Sequence, residues 1–329
     1  MRRRTIRHIL YTTAFALNLV TTPATTQAAE AHYPARPIRL VVPQSPGASN
    51  DTISRIVATR MSELLGQQIV IDNRPGAGGI IAGELVAHAP PDGYTLYATA
   101  TASQVIGPQV IRKVSFHPVN DFAPVSLFAI TQNVLVVHPA LAARSVKEFV
   151  AYARSNPGRV NLANAGTGTQ SHLAGVLLAH VAGLDVAHVP YKGGGPSVTS
   201  VVAGESHATL TPGPAVMGHA RAGRLRALAS GGAKRSPLTP DLPTLIESGI
   251  ALESTGWIGI LAPKKTPSAI TGKVHATLKT VLADPATQKL MEHQGADPQA
   301  DGPAAFTRLL TDELQRFGQA IRIANLKPE

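Results

Sequence analysis

Two stretches built on one plan constrain the fold more than any other feature of this chain. Residues 40–51 read as a strand, then Pro43-Gln44-Ser45-Pro46-Gly47-Ala48-Ser49-Asn50-Asp51, then a helix. Residues 162–173 read as a strand, then Asn164-Ala165-Gly166-Thr167-Gly168-Thr169-Gln170-Ser171, then a helix. Both turns are rich in Gly, Ser, Thr and Asn, and neither holds Lys or Arg. Such a turn aims free backbone N–H groups at whatever sits above the helix start, and so holds an anion without a cationic side chain. One such turn is ordinary helix capping. Two at equivalent places, about 120 residues apart, suggest one loop per domain facing across a cleft. Each helix start carries roughly half a positive charge, so the pair matches about one carboxylate. Asp51 is expected to face the helix backbone and hold its loop, with Ser49 and Asn50 nearer the ligand.

The rest of the chain fits that plan. Its 329 residues suffice for two α/β domains with proper cores. Residues 38–42 are a continuous apolar run, as in a buried parallel strand. Residues 51–65 place Ile53, Ile56, Val57, Met61, Leu64 and Leu65 on one helical face, and Gly66 stops the helix. Residues 69–71 form the next strand, residues 79–89 a helix and residues 94–98 a strand. The plan repeats with strands over 160–163 and 186–189 around a helix bearing Leu173, Val176, Leu177, His180 and Val181. Alternating strands and helices argue an α/β fold with mainly parallel sheets. Residues 125–138 and 256–262 are candidates for strands crossing between domains. Helical patterns follow near 267–283 and 304–323, the latter with a stripe of Phe306, Leu309, Leu310, Leu314, Phe317 and Ile321. The domains expected are 29–130 plus 254–329, and 131–253.

Of the formal net charge of +10, +4 falls in residues 1–28 and about +6 in the rest of the chain. Arg2, Arg3, Arg4 and Arg7 precede an apolar run over 9–20, too short to span a bilayer, and a small polar segment ending Thr26-Gln27-Ala28. Residues 1–28 therefore read as a secretory signal peptide. Beyond them 26 basic and 20 acidic residues are scattered without a run, which argues against nucleic-acid binding. With no cysteine, the chain has no disulfide, thiolate metal site, Cys nucleophile or lipid anchor. A soluble periplasmic protein is expected.

Catalytic signals are weak. Gly78-Gly79 with Gly83 lacks the full dinucleotide fingerprint, since Ile81 occupies its third position, and reads better as a tight turn into a helix. There is no nucleophile elbow, no zinc-protease motif and no suggestive pair of carboxylates. His172 and His180 lie two turns apart and do not form a metal pair, although His172 could donate into the cleft. A hydrolase using Ser45, Ser49 or Ser171 remains as an alternative. Ser171 and His172 are adjacent on a helix and so do not face each other. No cofactor or metal is expected, and the protein reads as a non-enzyme.

Many ordered segments resemble the tripartite tricarboxylate transporter substrate-binding proteins, the Bug family. They include Pro46-Gly47 with Asp51 and Arg55, Leu65-Gly66-Gln67, Asp72-Asn73-Arg74-Pro75-Gly76-Ala77-Gly78-Gly79 and Pro91-Asp92-Gly93-Tyr94-Thr95-Leu96. Others are Asn120-Asp121-Phe122 with Pro124-Val125, Gly166-Thr167-Gly168-Thr169 with His172-Leu173-Ala174-Gly175, and His188-Val189-Pro190-Tyr191-Lys192-Gly193. Leu225-Arg226-Ala227-Leu228-Ala229, Pro240-Asp241-Leu242-Pro243-Thr244 and Gly256-Trp257 complete the set. The resemblance spans residues 33–327. It implies a type II periplasmic-binding-protein fold, with two α/β domains joined by crossing strands and a ligand cleft between them. It also implies a small carboxylate held by backbone amides and hydroxyls of two loops, here 47–50 and 163–169. The ligand-binding set is then Gln44, Gly47, Ala48, Ser49, Asn50, Asn164, Gly166, Thr167, Gly168, Thr169 and His172. Three positions depart from the family pattern. Ala48 stands where a second Gly is common, Gln44 where an aromatic is common, and His207 where an acid is common. A more polar ligand, or a pocket closed differently, is implied.

The function expected is a monomeric extracytoplasmic receptor that captures a carboxylate by hinge closure and delivers it to membrane transporter subunits. A receptor that signals to a partner such as a sensor kinase, without transport, is the alternative.

Overall fold

The computed structural model describes residues 33–237 and 239–327. The expected leader, residues 1–28, lies outside the described residues. The first unit is the anticipated βαβ: β1 (Ile38–Val42), α1 (Ser49–Leu65) and β2 (Ile69–Asn73), with β1 and β2 parallel in the register Ile38↔Ile69. Gly66 ends α1 in the left-handed conformation, as a C-terminal glycine should. Of the apolar face expected on α1, Ile53, Val57 and Met61 are buried, but Leu64 is 56% exposed. A tight turn, Ala77–Gly79, leads to α2 (Ile80–Ala87). Gly79 has φ +95°, and a Cβ there would stand 2.3 Å from Ser103 Cβ. Only glycine allows that approach, which gives Gly78-Gly79 a structural reason without any nucleotide.

Strand β3 (Thr95–Ala100) lies parallel on the other side of β1 and is followed by α3 (Gly107–Val110). Next comes β4 (Phe122–Val137), whose 16 residues join both halves of the sheet. The second half then builds α4 (Val146–Ser155), β5 (Asn161–Asn164), α5 (Gln170–Ala182) and β6 (Ala187–Pro190). It continues with α6 (Gly194–Val202), β7 (Ala208–Pro212), α7 (Gly213–Arg221) and β8 (Arg226–Ser230). The chain returns through β9 (Thr255–Pro263), α8 (Ser268–Ala283), α9 (Pro285–His293), β10 (Asp297–Asp301) and α10 (Pro303–Ile323). The order along the sheet is β2-β1-β3-β9-β4-β7-β5-β6, with β8 and β10 also pairing with β4.

The first half of β4 pairs with β9 and β10, the second half with β7 and β8. The segment 256–262 lies within β9 and pairs with β3 and the first half of β4. Just before it, Ser254 accepts the Asn133 N–H at 3.0 Å and donates its own N–H to Gly231 at 2.7 Å. The chain thus passes twice between the two halves of the sheet at this one waist. On one side of it, Tyr97, Phe122, Trp257, Phe306 and Phe317 pack in a single core that also receives Leu173 of α5. On the other, Leu135, Phe149, Leu162 and Leu178 pack together, and the opposite face of β4 is covered by Val198, Val201 and Val216. The apolar stripe expected on α10 is buried at Phe306, Leu310, Phe317 and Ile321. Among the described residues no helix is long and apolar enough to cross a membrane.

Candidate functional site

The two loops that dominate the sequence superpose in plan, residue for residue. Gly47 has φ +80° and Gly168 φ +75°. Each is followed by an extended residue that starts the helix, Ala48 at φ −71°, ψ 162° and Thr169 at φ −75°, ψ 164°. In each, the glycine N–H donates to the side chain four residues on, Gly47 to Asp51 Oδ2 at 2.8 Å and Gly168 to His172 Nδ1 at 3.1 Å. The correspondence therefore runs Gly47–Gly168, Ala48–Thr169, Ser49–Gln170, Asn50–Ser171 and Asp51–His172. Positive φ is the reason for glycine at both turns.

Most polar groups of the first loop are spent on the loop itself. Asp51 also binds Arg55, at 2.9 Å, and Asn73 Nδ2, at 2.9 Å, and its side chain is only 2% exposed. Burial works to raise its pKa. The hydrogen bonds from Arg55, Asn73 and Gly47, with the Arg55 charge, outweigh that and hold the carboxyl below its usual range. Asp51 thus holds the loop, in the position the sequence suggests. Asn50 is turned into the protein. It is 1% exposed, and its Nδ2 donates to Ala98 O at 2.8 Å while its Oδ1 accepts from Ser54 Oγ at 2.9 Å. The Asn50 N–H is itself taken by Gln44 Oε1 at 3.1 Å, and Gln44 O accepts from Asn73 Nδ2 at 2.8 Å. Gln44 and Asn50 are therefore positioning residues of this loop, because a buried amide is stable only when its hydrogen bonds are made. The Ala48 N–H turns back to Ser45 O. Among the described residues the N–H groups of Ser49 and Asp51 have no partner.

The second loop is consolidated in the same way. Asn164 Oδ1 accepts the Gly166 N–H at 3.0 Å, and Ser171 Oγ accepts the Ala165 N–H at 3.0 Å. Thr169 Oγ1 donates to Gly166 O at 2.7 Å and accepts the His172 N–H at 3.4 Å, which caps α5. The N–H groups of Gly166 and Gly168, expected to face a ligand, are therefore occupied by turn partners. Those of Thr167, Gln170 and Ser171 have none among the described residues. Gly168 stands close to Val110 and Leu326, with 3.9 Å between them and the place of a Cβ. His172 packs edge-on against His188, ring centroids 5.5 Å apart. Burial, and then the His188 charge, push the His172 pKa down, and burial does the same to His188. Because Nδ1 accepts from Gly168, the neutral ring carries its proton on Nε2.

Asn164, named in the ligand-binding set, and Gln170, which a sequence reading misses, each carry a bare buried donor. Asn164 Nδ2 is buried without a partner, and so is Nε2 of Gln170, whose carboxamide lies against Gly256 and Thr131. The free amides of Gln170 and Ser171 escape a sequence reading too, because the loop glycines draw attention away from the helix residues after them. The usable signal is their place, two and three residues beyond Gly168. Among the described residues no cluster of three or more His, Asp or Glu could hold a metal ion.

What this arrangement offers chemically is a set of backbone N–H donors at two helix starts, with no lysine or arginine among the loop residues. The family model of the tripartite tricarboxylate transporter family receptor matches residues 53–326. Protein BugT of Bordetella pertussis is 34% identical over 297 residues, covering 90% of this chain and 91% of that protein. An R. palustris protein solved with adipate is 32% identical at a TM-score of 0.81, covering 90% of this chain and all of that one. MatC from Rhodopseudomonas palustris, solved with bound malate, is 29% identical at a TM-score of 0.75, covering 88% and 100%. The fold is that of the periplasmic binding proteins, as in BugD, at a TM-score of 0.77. The chain belongs to the tripartite tricarboxylate transporter receptor family of solute-binding proteins.

Proposed function

We propose that the protein captures a small carboxylate between its two loops and delivers it to the membrane subunits of a tripartite tricarboxylate-type transporter. The observation that carries this reading is the matched pair of loops, each held by a glycine N–H bonded to the side chain four residues on. Each leaves free amides at a helix start, which attract an anion through both hydrogen bonding and the helix dipole. The bound adipate and malate of two relatives support a carboxylate as the anion. The ligand contacts in this reading are the N–H groups of Ser49, Asp51, Thr167, Gln170 and Ser171. Gly47, Ala48, Gly166, Gly168, Thr169 and His172 shape the walls. The segments 29–130 plus 254–329 and 131–253 act as two bodies that close over the ligand about the waist at Asn133 and Ser254. Residues 1–28 export the chain to the periplasm, where it acts as a binding protein and not as an enzyme.

A thermal-shift screen of mono-, di- and tricarboxylates on the purified mature protein tests this. At least one should raise Tm. Gly168→Asp should abolish that shift, since it sets a negative charge beside the Thr167 and Gln170 amides. If no carboxylate raises Tm, the reading fails.

A further inference from the structure

Gln170 opens α5 directly after the second loop, at the place Ser49 holds in the first. Its side chain reaches the crossing strands. A Cβ on Gly256 would stand 2.5 Å from Gln170 Nε2, 3.1 Å from Gln170 Oε1 and 3.0 Å from Thr131 Oγ1. Thr131 and Gly256 are paired partners of β4 and β9, at the waist through which the two halves connect. The carboxamide therefore rests in a cradle that exists only because residue 256 has no side chain. Its Nε2 is fully buried and makes no hydrogen bond among the described residues. Buried donors are almost always satisfied, and one left bare carries the full cost of its desolvation. A donor kept in that state, on the residue whose own N–H is one of the free amides of the second loop, awaits an acceptor from outside the protein.

We infer that Gln170 is a specificity-determining residue: its Nε2, seated over Gly256, donates to an oxygen at the end of the ligand remote from the loop-held carboxylate. This rests on the carboxylate reading of the same cleft and adds a second acceptor to it, a further carboxylate being the best match for a bare donor. An aliphatic monocarboxylate leaves Nε2 unpaired and is discriminated against for that reason. A ligand with a terminal ammonium brings a donor toward a donor and is rejected more strongly.

Calorimetric titration of the mature protein with matched acids tests the assignment. Adipate, hexanoate and 6-aminohexanoate share one chain length, as do glutarate, pentanoate and 5-aminopentanoate. The wild-type protein should bind the diacid of the better set at least about tenfold more tightly than its monoacid, the effect of one charge-assisted hydrogen bond. Gln170→Leu keeps the bulk over Gly256 and loses the donor. It should reduce that ratio to within about twofold through weaker diacid binding, with ligand-free Tm not lowered and, because a bare buried donor is removed, raised if anything. Gln170→Glu keeps the size and should bind the diacid worse still, and it decides the matter if the leucine variant does not fold. An unchanged ratio in both variants, or tightest binding of the amino acid, overturns the role of Gln170 and leaves the carboxylate reading standing. Failure of the wild-type protein to bind any of these acids overturns the role of Gln170, and the carboxylate reading falls with it only if the wider thermal-shift screen finds no carboxylate either.

Discussion

The first loop is closed by a carboxylate and the second by an imidazole, although their backbones are the same. Asp51 takes the Gly47 N–H with a full charge, which Arg55 and Asn73 stabilise. His172 takes the Gly168 N–H with a neutral nitrogen. The difference is electrostatic. A negative group in the first turn of α1 partly cancels that helix's positive end, with Arg55 offsetting it in turn, whereas α5 has no acid in its first turn. Two half-charges of equal weight, as the sequence suggests, therefore become unequal in the structure, with the second loop the more positive helix start. The loops also differ in capping. Thr169 covers the His172 N–H, while Ala48 covers nothing, so Asp51 keeps a free amide that His172 lacks.

Removing Asp51 breaks the comparison most severely. Asp51→Ala leaves the Gly47 N–H of an exposed turn and the half-buried Asn73 Nδ2 without that acceptor, and half-exposed Arg55 without its ion pair. A loss of about 1–3 kcal/mol is expected, the cost of roughly one unsatisfied group, because the exposed partners recover water and Asn73 keeps Gln44 O. Urea unfolding measures it. A loss under about 1 kcal/mol would mean that the carboxylate does not hold the loop.

The caps give the next effect. Thr169→Ala removes a helix cap and a hydrogen bond to Gly166 O. It should cost about 1 kcal/mol while freeing the His172 N–H. Ala48→Thr makes the reverse change at a residue with the same backbone angles. It should stabilise by about 0.5–1 kcal/mol, yet weaken ligand binding, because the new hydroxyl takes the Asp51 N–H. Stability and affinity moving together in Ala48→Thr would show that this amide faces no ligand.

The equivalence of the loops was legible in composition, but the roles inside them were not. Glycine, a small polar residue and a helix start recur in both segments, and the alternation of strand and helix around them announces the α/β plan. Which donors are free depends on side chains distant in sequence. Asn50 is drawn inward by Ala98 O, which lies 48 residues away, and Gln170 is placed by Gly256. Strand β10, Asp297–Asp301, carries no apolar alternation and is a strand only because β4 offers it an edge. Helix α4 carries a signature of its own in the sequence: Ser145 and Glu148 form a capping pair, in which Ser145 Oγ accepts the Glu148 N–H and Glu148 accepts the Arg144 N–H.

Acid separates the loops by the smallest and most specific effect. The folded pKa of His172 lies below that of an ordinary imidazole, as does that of His188. Between the two values the unfolded chain binds more protons than the folded one, so this contribution to stability is complete above the unfolded value, about 6.5. It is lost as pH falls from there toward the folded value. Protonation of His172 also replaces the acceptor of the Gly168 N–H with a second donor, so the second loop loosens over the same range. Asp51 is shifted down from the usual carboxylate range, and its contribution persists above about 3.8. Between roughly pH 6.5 and 4 the second loop should therefore weaken while the first stays closed. The effect is small near pH 6, because the lowered pKa keeps the protonated fraction low. Amide exchange of Gly168 against Gly47, followed across that range, measures it directly. Faster exchange at Gly168 alone, beyond the intrinsic pH dependence, is expected. Equal change at both glycines would mean that His172 titrates without governing its loop.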